Sequence, residues 1–364
     1  MGKKDRKDKK DNTNKLPRVS ICTPTFNRRP FFKGLIDSIM AQNYPKDKIE
    51  WIIVDDGTDK IEDLVTHIPF VKYFYTEKMH LGRKRNFMHD QCSFKNDDDI
   101  LIYFDDDDYY PKERISHAVD KLTGSSALCA GSSEIYIWFN TLNKMYRFGP
   151  YGPNHATAGT FAFKRALLKQ TSYENDALLA EEKHFLKNYT IPFIQLDPLK
   201  TILVISHEQN TFDKRRLISV DNKQCNESAL KAHNFIKNKE LFKFYIEDVP
   251  TLLSMYEPGS VSNKPEVLAE IVRRDKEREV KQNQMNQNQM NQNQFPQITT
   301  KNPDGTTRLL QPQEIIQALQ NVTNESMQIK KQNELLQRQN ELYQSKVNMM
   351  EQIIRANNLQ HFFS

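Results

Sequence analysis

Ile100-Leu-Ile-Tyr-Phe-Asp-Asp-Asp-Asp-Tyr-Tyr-Pro111 joins a short apolar run to four consecutive carboxylates. Ile100 to Phe104 have the composition of a buried strand, and Asp105 to Asp108 leave it on its carboxyl side. Like charges stacked at the exit of a buried strand repel one another unless a cation sits among them. Oxygen-only ligands there suit a hard divalent ion, Mg²⁺ or Mn²⁺. The carboxyl ends of strands are also where open α/β sheets bind ligands. An isolated acidic run reads as a solvated turn. This one follows a buried strand and has polar companions elsewhere in the chain, which favours a metal-binding loop.

Working outward, strand-like and helix-like segments alternate from about Arg18 to Ile205. Val19–Cys22 reads as a first strand, leading into Thr23-Pro-Thr-Phe-Asn-Arg-Arg29. Phe32, Leu35, Ile36, Ile39 and Met40 then fall on one helix face. Ile49–Val54 is a second buried strand, ending in Asp55-Asp56-Gly57, and Val71–Tyr75 is a third. A helix is expected from Leu81 to about Cys92 and another after Pro111. The alternation predicts a three-layer α/β/α domain around a mostly parallel sheet. Beyond Ser125 the pattern turns strand-rich, with a hairpin between Ile135–Phe139 and Met145–Phe148. Gly159–Phe163, a helix near Glu181 to Asn188 and the strand Ile202–Ile205 follow. The expected boundaries are a disordered basic tail (1–16), the α/β domain (17–225) and a helical extension without evident chemistry (226–281). A disordered Gln/Asn-rich linker (282–312) and a coiled coil (313–357) complete the chain. Ile315, Val322, Ile329, Leu336, Tyr343 and Met350 recur every seventh residue. Leu319, Ser326, Asn333, Asn340, Val347 and Ile354 fill the complementary positions, a pattern that predicts a homodimer with asparagines fixing its register.

Composition narrows the class. The 364 residues carry a formal net charge of +5, too mild to imply a nucleic-acid partner. Mean hydropathy is −0.73, and no stretch has the roughly 18 apolar residues of a membrane helix. The four cysteines, Cys22, Cys92, Cys129 and Cys225, show no metal-ligand spacing and read as reduced thiols of a cytoplasmic protein. The Asn/Lys bias and polar repeats are those of an AT-rich genome, such as that of a large DNA virus or a protist; for a virus the location would be the host cytoplasm.

Four polar loops each follow an apolar strand, so a parallel sheet places them on one rim. Thr23–Asn27, Asp55–Gly57, Gly82-Arg-Lys-Arg-Asn86 and the aspartate run together supply an acidic pair, a basic helix start and a metal site. That is the inventory of a nucleoside diphosphate pocket. In this order the motifs resemble those of a family 2 glycosyltransferase of the GT-A fold, from Val19 to about Asn210. The resemblance implies that Pro24, Thr25 and Asn27 contact the nucleotide, with Asp55 and Asp56 at the base. It sets Arg85 and Asn86, with Arg83 beside them, near the diphosphate. Lys84 replaces a frequent alanine, and either adds charge or faces solvent. Phe104–Asp108 matches an LDxDD-like element, which implies that Asp105 and Asp107 form the DxD pair, with Asp106 at the donor. Asp107 is then the first choice for the metal, and Asp106 and Asp108 are alternatives.

Gly159–Arg165 resembles the family's acceptor-side floor. Ala180–Phe185 resembles an AEDxDF-like element, with glutamate at the second acid; the general base is then Glu182 or Glu181, against a plain acidic helix start. His207, in His207-Glu-Gln-Asn-Thr211, is a further metal ligand, a phosphate contact or a structural imidazole. His155 lies in an expected acceptor loop; Trp51 and Trp138 read as core, with Trp138 and Tyr136 as an alternative sugar-stacking wall. The implied reaction is Mn²⁺- or Mg²⁺-dependent transfer, with inversion, from a UDP-, dTDP- or GDP-sugar to a glycan or protein hydroxyl. Two rivals stand beside it. A nucleotidyltransferase would normally need a glycine-rich loop after the first strand, where Thr23–Asn27 has none. An inactive, transferase-like scaffold on a coiled coil is favoured by the glutamate at 182.

Overall fold

The computed structural model describes residues 16–218, 222–292, 298–301 and 304–356. The expected basic tail, up to Leu16, falls almost wholly outside them. The chain forms two compact units, Met1–Asp275 and Lys276–Ser364.

The first unit is built on a seven-stranded sheet. Its strands are β1 (Val19–Thr25), β2 (Ile49–Asp55), β3 (Val71–Tyr75), β4 (Ile100–Tyr103), β5 (Cys129–Gly131), β8 (Ala162–Lys164) and β9 (Phe193–Gln195). Their order is β3-β2-β1-β4-β8-β5-β9. The pairs β3/β2, β2/β1, β1/β4 and β5/β9 are parallel, and β8 runs antiparallel to both β4 and β5. Alternation along each strand divides the core into two layers. Val19, Ile21, Trp51, Ile53, Ile100 and Ile102 point to one face, beneath α1 (Phe32–Met40) and α3 (Arg114–Thr123). Cys22, Ile52, Val54, Leu101 and Tyr103 point to the other, with Met88 of α2 (Leu81–Gln91). This is the mostly parallel α/β arrangement expected. Trp51 is fully buried, and its Nε1 donates to Thr23 Oγ1 at 2.9 Å.

A second sheet has the order β10-β6-β7-β11, with β6 (Ile135–Phe139), β7 (Lys144–Phe148), β10 (Val204–Ser206) and β11 (Cys225–Glu227). The expected hairpin is β6/β7, paired from Ile135↔Phe148 to Phe139↔Lys144. Two sequence-based expectations are corrected here. The helix expected near Glu181 to Asn188 is only the single turn α4 (Glu182–Phe185), because Lys187, Asn188 and Tyr189 adopt left-handed backbone. The domain does not end at 225 either. Helices α5 (Ala232–Phe235), α6 (Lys239–Lys243) and α7 (Val249–Ser254) bury Phe235, Leu241 and Leu253 with Trp138, Met145 and Ile205 in one apolar cluster. Tyr136 and Trp138 are thereby core, with Tyr136 against Phe235 at 5.3 Å, and form no sugar-stacking wall.

Helix α8 (Pro265–Gln292) begins in the first unit and continues into the second. Part of the segment expected to be a disordered linker is therefore helical: the glutamines and methionines after Val280 are good helix formers, uninterrupted by glycine or proline. Strands Thr299–Lys301 and Thr307–Leu309 pair antiparallel around an Asp304-Gly305 turn. The last element is α9 (Pro312–Ala356), a helix of 45 residues.

Candidate active site

Because β1, β2, β3 and β4 are parallel, the loops after β1, β2 and β4 and the start of α2 open at one edge of the sheet. They line a cavity of about 350 Å³ with Pro24, Thr25, Phe26 and Arg28, then Asp56, Lys84, Arg85 and Asp105 to Asp107. Lys78 and Lys264 are further cations in its wall.

The aspartates meet different surroundings. Asp105 Oδ1 lies 3.5 Å from Arg85 Nη2 and is buried without a hydrogen-bond partner. Its Oδ2 would stand 2.6 Å from a Cβ at Gly159, so a side chain there would push the carboxylate out of its present position. Burial, then the charge of Asp107, pushes Asp106 up to about 7, against Arg28. Asp107 stays well below the usual carboxylate range. Burial opposes this, but a hydrogen bond with His207 and the nearby Arg28 outweigh it. Asp108 turns inward, with Oδ1 accepting from the Ile205 amide at 2.9 Å, and lies outside the cavity. That removes it as an alternative metal ligand.

Arg28 ties this acidic loop to the rest of the fold. Its Nε is 3.8 Å from both Asp106 and Asp107, and its Nη2 donates to the Gln209 carbonyl at 2.7 Å. His207 Nε2 lies 3.1 Å from Asp107 Oδ2 and 2.9 Å from Asn210 Nδ2, and its ring packs on Phe31. Burial lowers its pKa to about 4, so the imidazole is neutral near pH 7. His207 thus supports Asp107 from behind and does not line the cavity.

On α2, Lys84 ion-pairs with Asp56 and donates to the Thr25 carbonyl at 3.0 Å. Lys84 therefore adds buried charge and does not face solvent. Arg85 lies over the Tyr103 ring at 4.3 Å and donates from Nε to Glu181 at 2.8 Å. Residue 83 falls on the outer side of this helix, so Arg83 is exposed and away from the cavity. Asn86 braces the fold instead, bonding the Tyr173 backbone with both its amide nitrogen and its oxygen. Gly82 lets that crossing segment approach, since a Cβ there would collide with the Glu174 carbonyl oxygen.

Asp55 and Asn27 are also turned to structural use. Asp55 accepts from the Gly57 and Ile61 amides and from the Tyr73 hydroxyl, which occupies its carboxylate and leaves it off the cavity wall. Asn27, at φ 53°, accepts from the Asp59 amide and donates to the Pro258 carbonyl. Of the acidic pair after β2, only Asp56 faces the cavity.

Glu181 is committed to Arg85, whereas the half-buried Glu182 beside it has its pKa raised to about 7, by burial first and Glu181 second. His155 stacks on Tyr189 at 4.7 Å and packs against Tyr151 at 5.0 Å; neither it nor the glutamate pair lines the cavity. Sequence reasoning passed over Phe26, Arg28, Lys78 and Lys264. Arg28 carried a signal, since it directly follows Asn27 in a loop already singled out; Lys264 lies far outside the recognisable motifs.

Among the described residues no group of three or more His, Cys, Asp or Glu side chains is arranged to hold a metal ion. A pair is better placed. Asp105 offers a buried oxygen with no hydrogen-bond partner, Asp107 lies two residues on, and both line the cavity. Carboxylate oxygens of this kind fit a hard divalent ion that takes its remaining ligands from water or phosphate.

Residues 20–176 match the model of the family described as Glycosyl transferase family 2. An uncharacterized glycosyltransferase of Rickettsia typhi is 33% identical over 113 residues, 29% of this chain and 32% of that protein. This chain thus spans about a third of the length of the relative it matches. Among solved structures, the mannosyltransferase PcManGT from Pyrobaculum calidifontis in complex with GDP-Man and Mn²⁺ is 17% identical with a TM-score of 0.43. The alignment covers 71% of this chain and 76% of that one. S. aureus TarS 1-349 in complex with UDP-GlcNAc is 18% identical with a TM-score of 0.42, covering 70% and 71%. The residues that build the β1, β2 and β4 edge of the cavity, from Pro24 to Asp107, all fall inside the segment that matches the family 2 glycosyl transferase model.

Proposed function

We propose that this protein transfers a sugar from a nucleoside diphosphate-sugar to a hydroxyl acceptor, with inversion at the anomeric carbon. The observation that carries the reading is the cavity itself. It sets three carboxylates, Asp105 to Asp107, among Arg28, Lys84, Arg85 and Lys264 at the carboxyl edge of the sheet. A pocket of mixed charge fits a ligand that brings both a metal ion and phosphates. Pro24, Thr25 and the half-buried Phe26 ring offer the surface for the nucleoside, with Asp56 as a polar contact. Asp105 and Asp107 would hold Mn²⁺ or Mg²⁺, and His207 keeps Asp107 in place. When bound, the ion supplies Lewis-acid stabilisation of the leaving diphosphate. Arg85 adds fixed positive charge where that negative charge develops. Glu182, the glutamate not bound to Arg85, accepts the acceptor's hydroxyl proton. Helix α9 serves as a homodimeric coiled coil.

The test is thermal stability of the full chain with UDP, GDP, dTDP and CMP, each with Mn²⁺ or EDTA. A ligand at about 100 times its Kd that binds only the folded state adds ~2.7 kcal/mol. Stabilisation by one diphosphate with Mn²⁺, lost in Asp107→Ala, is the expected result. No shift with any of them, in a folded protein, would sink the reading.

A further inference from the structure

The family-matched segment ends at residue 176, yet the cavity wall does not. Leu178, Thr211, Lys264, Glu266 and Val267 complete it. The segment that brings the last three is fastened to the loop after β1 and to Lys78. Asn27 Nδ2 donates to the Pro258 carbonyl at 3.0 Å, Arg28 Nη1 to the Gly259 carbonyl at 3.3 Å, and Lys78 Nζ to Glu266 at 2.9 Å.

The five cations in this wall differ in how they are engaged. Lys84 holds Asp56, Arg85 holds Glu181, and Lys78 holds Glu266. Arg28 bonds two carbonyls and lies near two aspartates. Lys264 is the exception. Its Nζ donates to the Thr211 hydroxyl at 2.9 Å, and among the described residues it has no carboxylate within ion-pairing distance. The Phe26 ring lies 5.4 Å away. An ammonium has three donors, and one hydroxyl satisfies one of them. Withdrawing such a group from water without an anion is unfavourable. Burial and the neighbouring Arg28 lower the Lys264 pKa to about 7, against the more distant charges of Asp106 and Asp107. A cation with no carboxylate in ion-pairing contact, in a cavity read as a nucleotide-sugar site, is placed to receive a phosphate.

We infer that Lys264 is a direct ligand of the donor's diphosphate, so that the helical extension is an integral part of the donor site. This rests on the nucleotide-sugar reading above. Lys264 supplies charge from a segment far from Lys84 and Arg85 in sequence, and the Thr211 hydroxyl orients its ammonium. The ligand class is the pyrophosphate group, whichever base and sugar accompany it.

The experiment measures, by calorimetry with Mn²⁺ on the full chain, the Kd of whichever of UDP, GDP and dTDP binds tightest. The corresponding monophosphate is measured beside it. Lys264→Met should weaken the diphosphate by roughly 10- to 100-fold, the scale of a lost charge-assisted bond, and weaken the monophosphate less. The unliganded Met variant should melt no lower than the parent, since an unpaired cation has been removed. Lys264→Arg keeps the charge and should retain most of the affinity. Unchanged diphosphate affinity in Lys264→Met overturns the inference while leaving the nucleotide-sugar reading intact. Equal losses in the Met and Arg variants also overturn it, because shape and not charge would then be at issue. If the parent chain binds none of the three diphosphates, the nucleotide-sugar reading itself fails and this inference with it.

Discussion

Glu181 and Glu182 are adjacent in the chain and meet opposite surroundings. Glu181 accepts from Arg85, while Glu182 has its pKa raised to about 7. A general base works in its ionised form, so the sign of the pH effect follows directly. Transfer should rise as pH climbs through about 7, where Glu182 loses its proton, and fall about tenfold per unit below it. Glu182→Gln should cost roughly 10²- to 10⁴-fold in kcat and remove that limb, with donor affinity kept. A pH–rate profile of both proteins decides it: a limb that survives in Glu182→Gln assigns the base elsewhere. Sequence alone put Glu182 first by its place in the motif and kept Glu181 as the alternative. What separates them is a partner on α2, in register only once the chain has folded. The same holds for Asp55 and Asp56, since only contacts with Tyr73 and Lys84 show which carboxylate is structural and which faces the cavity.

At the scale of elements, the strands and helices that build the sheet were legible because their residues alternate or repeat on a helix face. Those features depend on local pattern. The helical extension was less legible in purpose, because it packs on residues far away in sequence, among them a glycine. Gly34 of α1 sits directly under the Phe244 ring, where an added Cβ would collide with Cε1 and come within 3.0 Å of Tyr245. Glycine in a helix interior usually gives way to alanine with a gain of up to ~1 kcal/mol. Here Gly34→Ala should instead destabilise by about 1–3 kcal/mol, the usual scale of overpacking, and lower Tm by several degrees. Calorimetric melting of the two proteins checks it, and a raised Tm would mean that Phe244 moves aside freely. The turn of π-helix at Phe244–Asp248, which gives the approach its shape, has no signature in the sequence.

For the whole molecule, α9 presents Leu319, Val322, Ile329, Leu336, Tyr343, Val347 and Met350 at 47–62% exposure. A single helix with that many exposed apolar side chains at seven-residue spacing lacks a partner for its stripe. Light scattering of the full chain should give twice the 42.8 kDa chain mass, and Val322→Asp with Leu336→Asp should halve it. A monomeric parent at micromolar concentration would remove the coiled-coil proposal. Heptads are readable in sequence because they are periodic. The donor cavity was readable only in part, since its motifs cover the β1 to β4 edge and say nothing of the segment that closes it.

That closure has a consequence for the life of the chain before it is complete. Arg28 and Asn27 emerge early, but the carbonyls of Pro258 and Gly259 that they hold, and Lys264, are made more than two hundred residues later. At 5–20 residues per second, roughly ten to fifty seconds of synthesis separate the two halves of one pocket. Asp105 to Asp107 and the strands β5, β8 and β9 are made within that interval, before the outer wall. The cavity that would hold a donor in the proposed reaction is therefore assembled only after Lys264 and Val267 have been made.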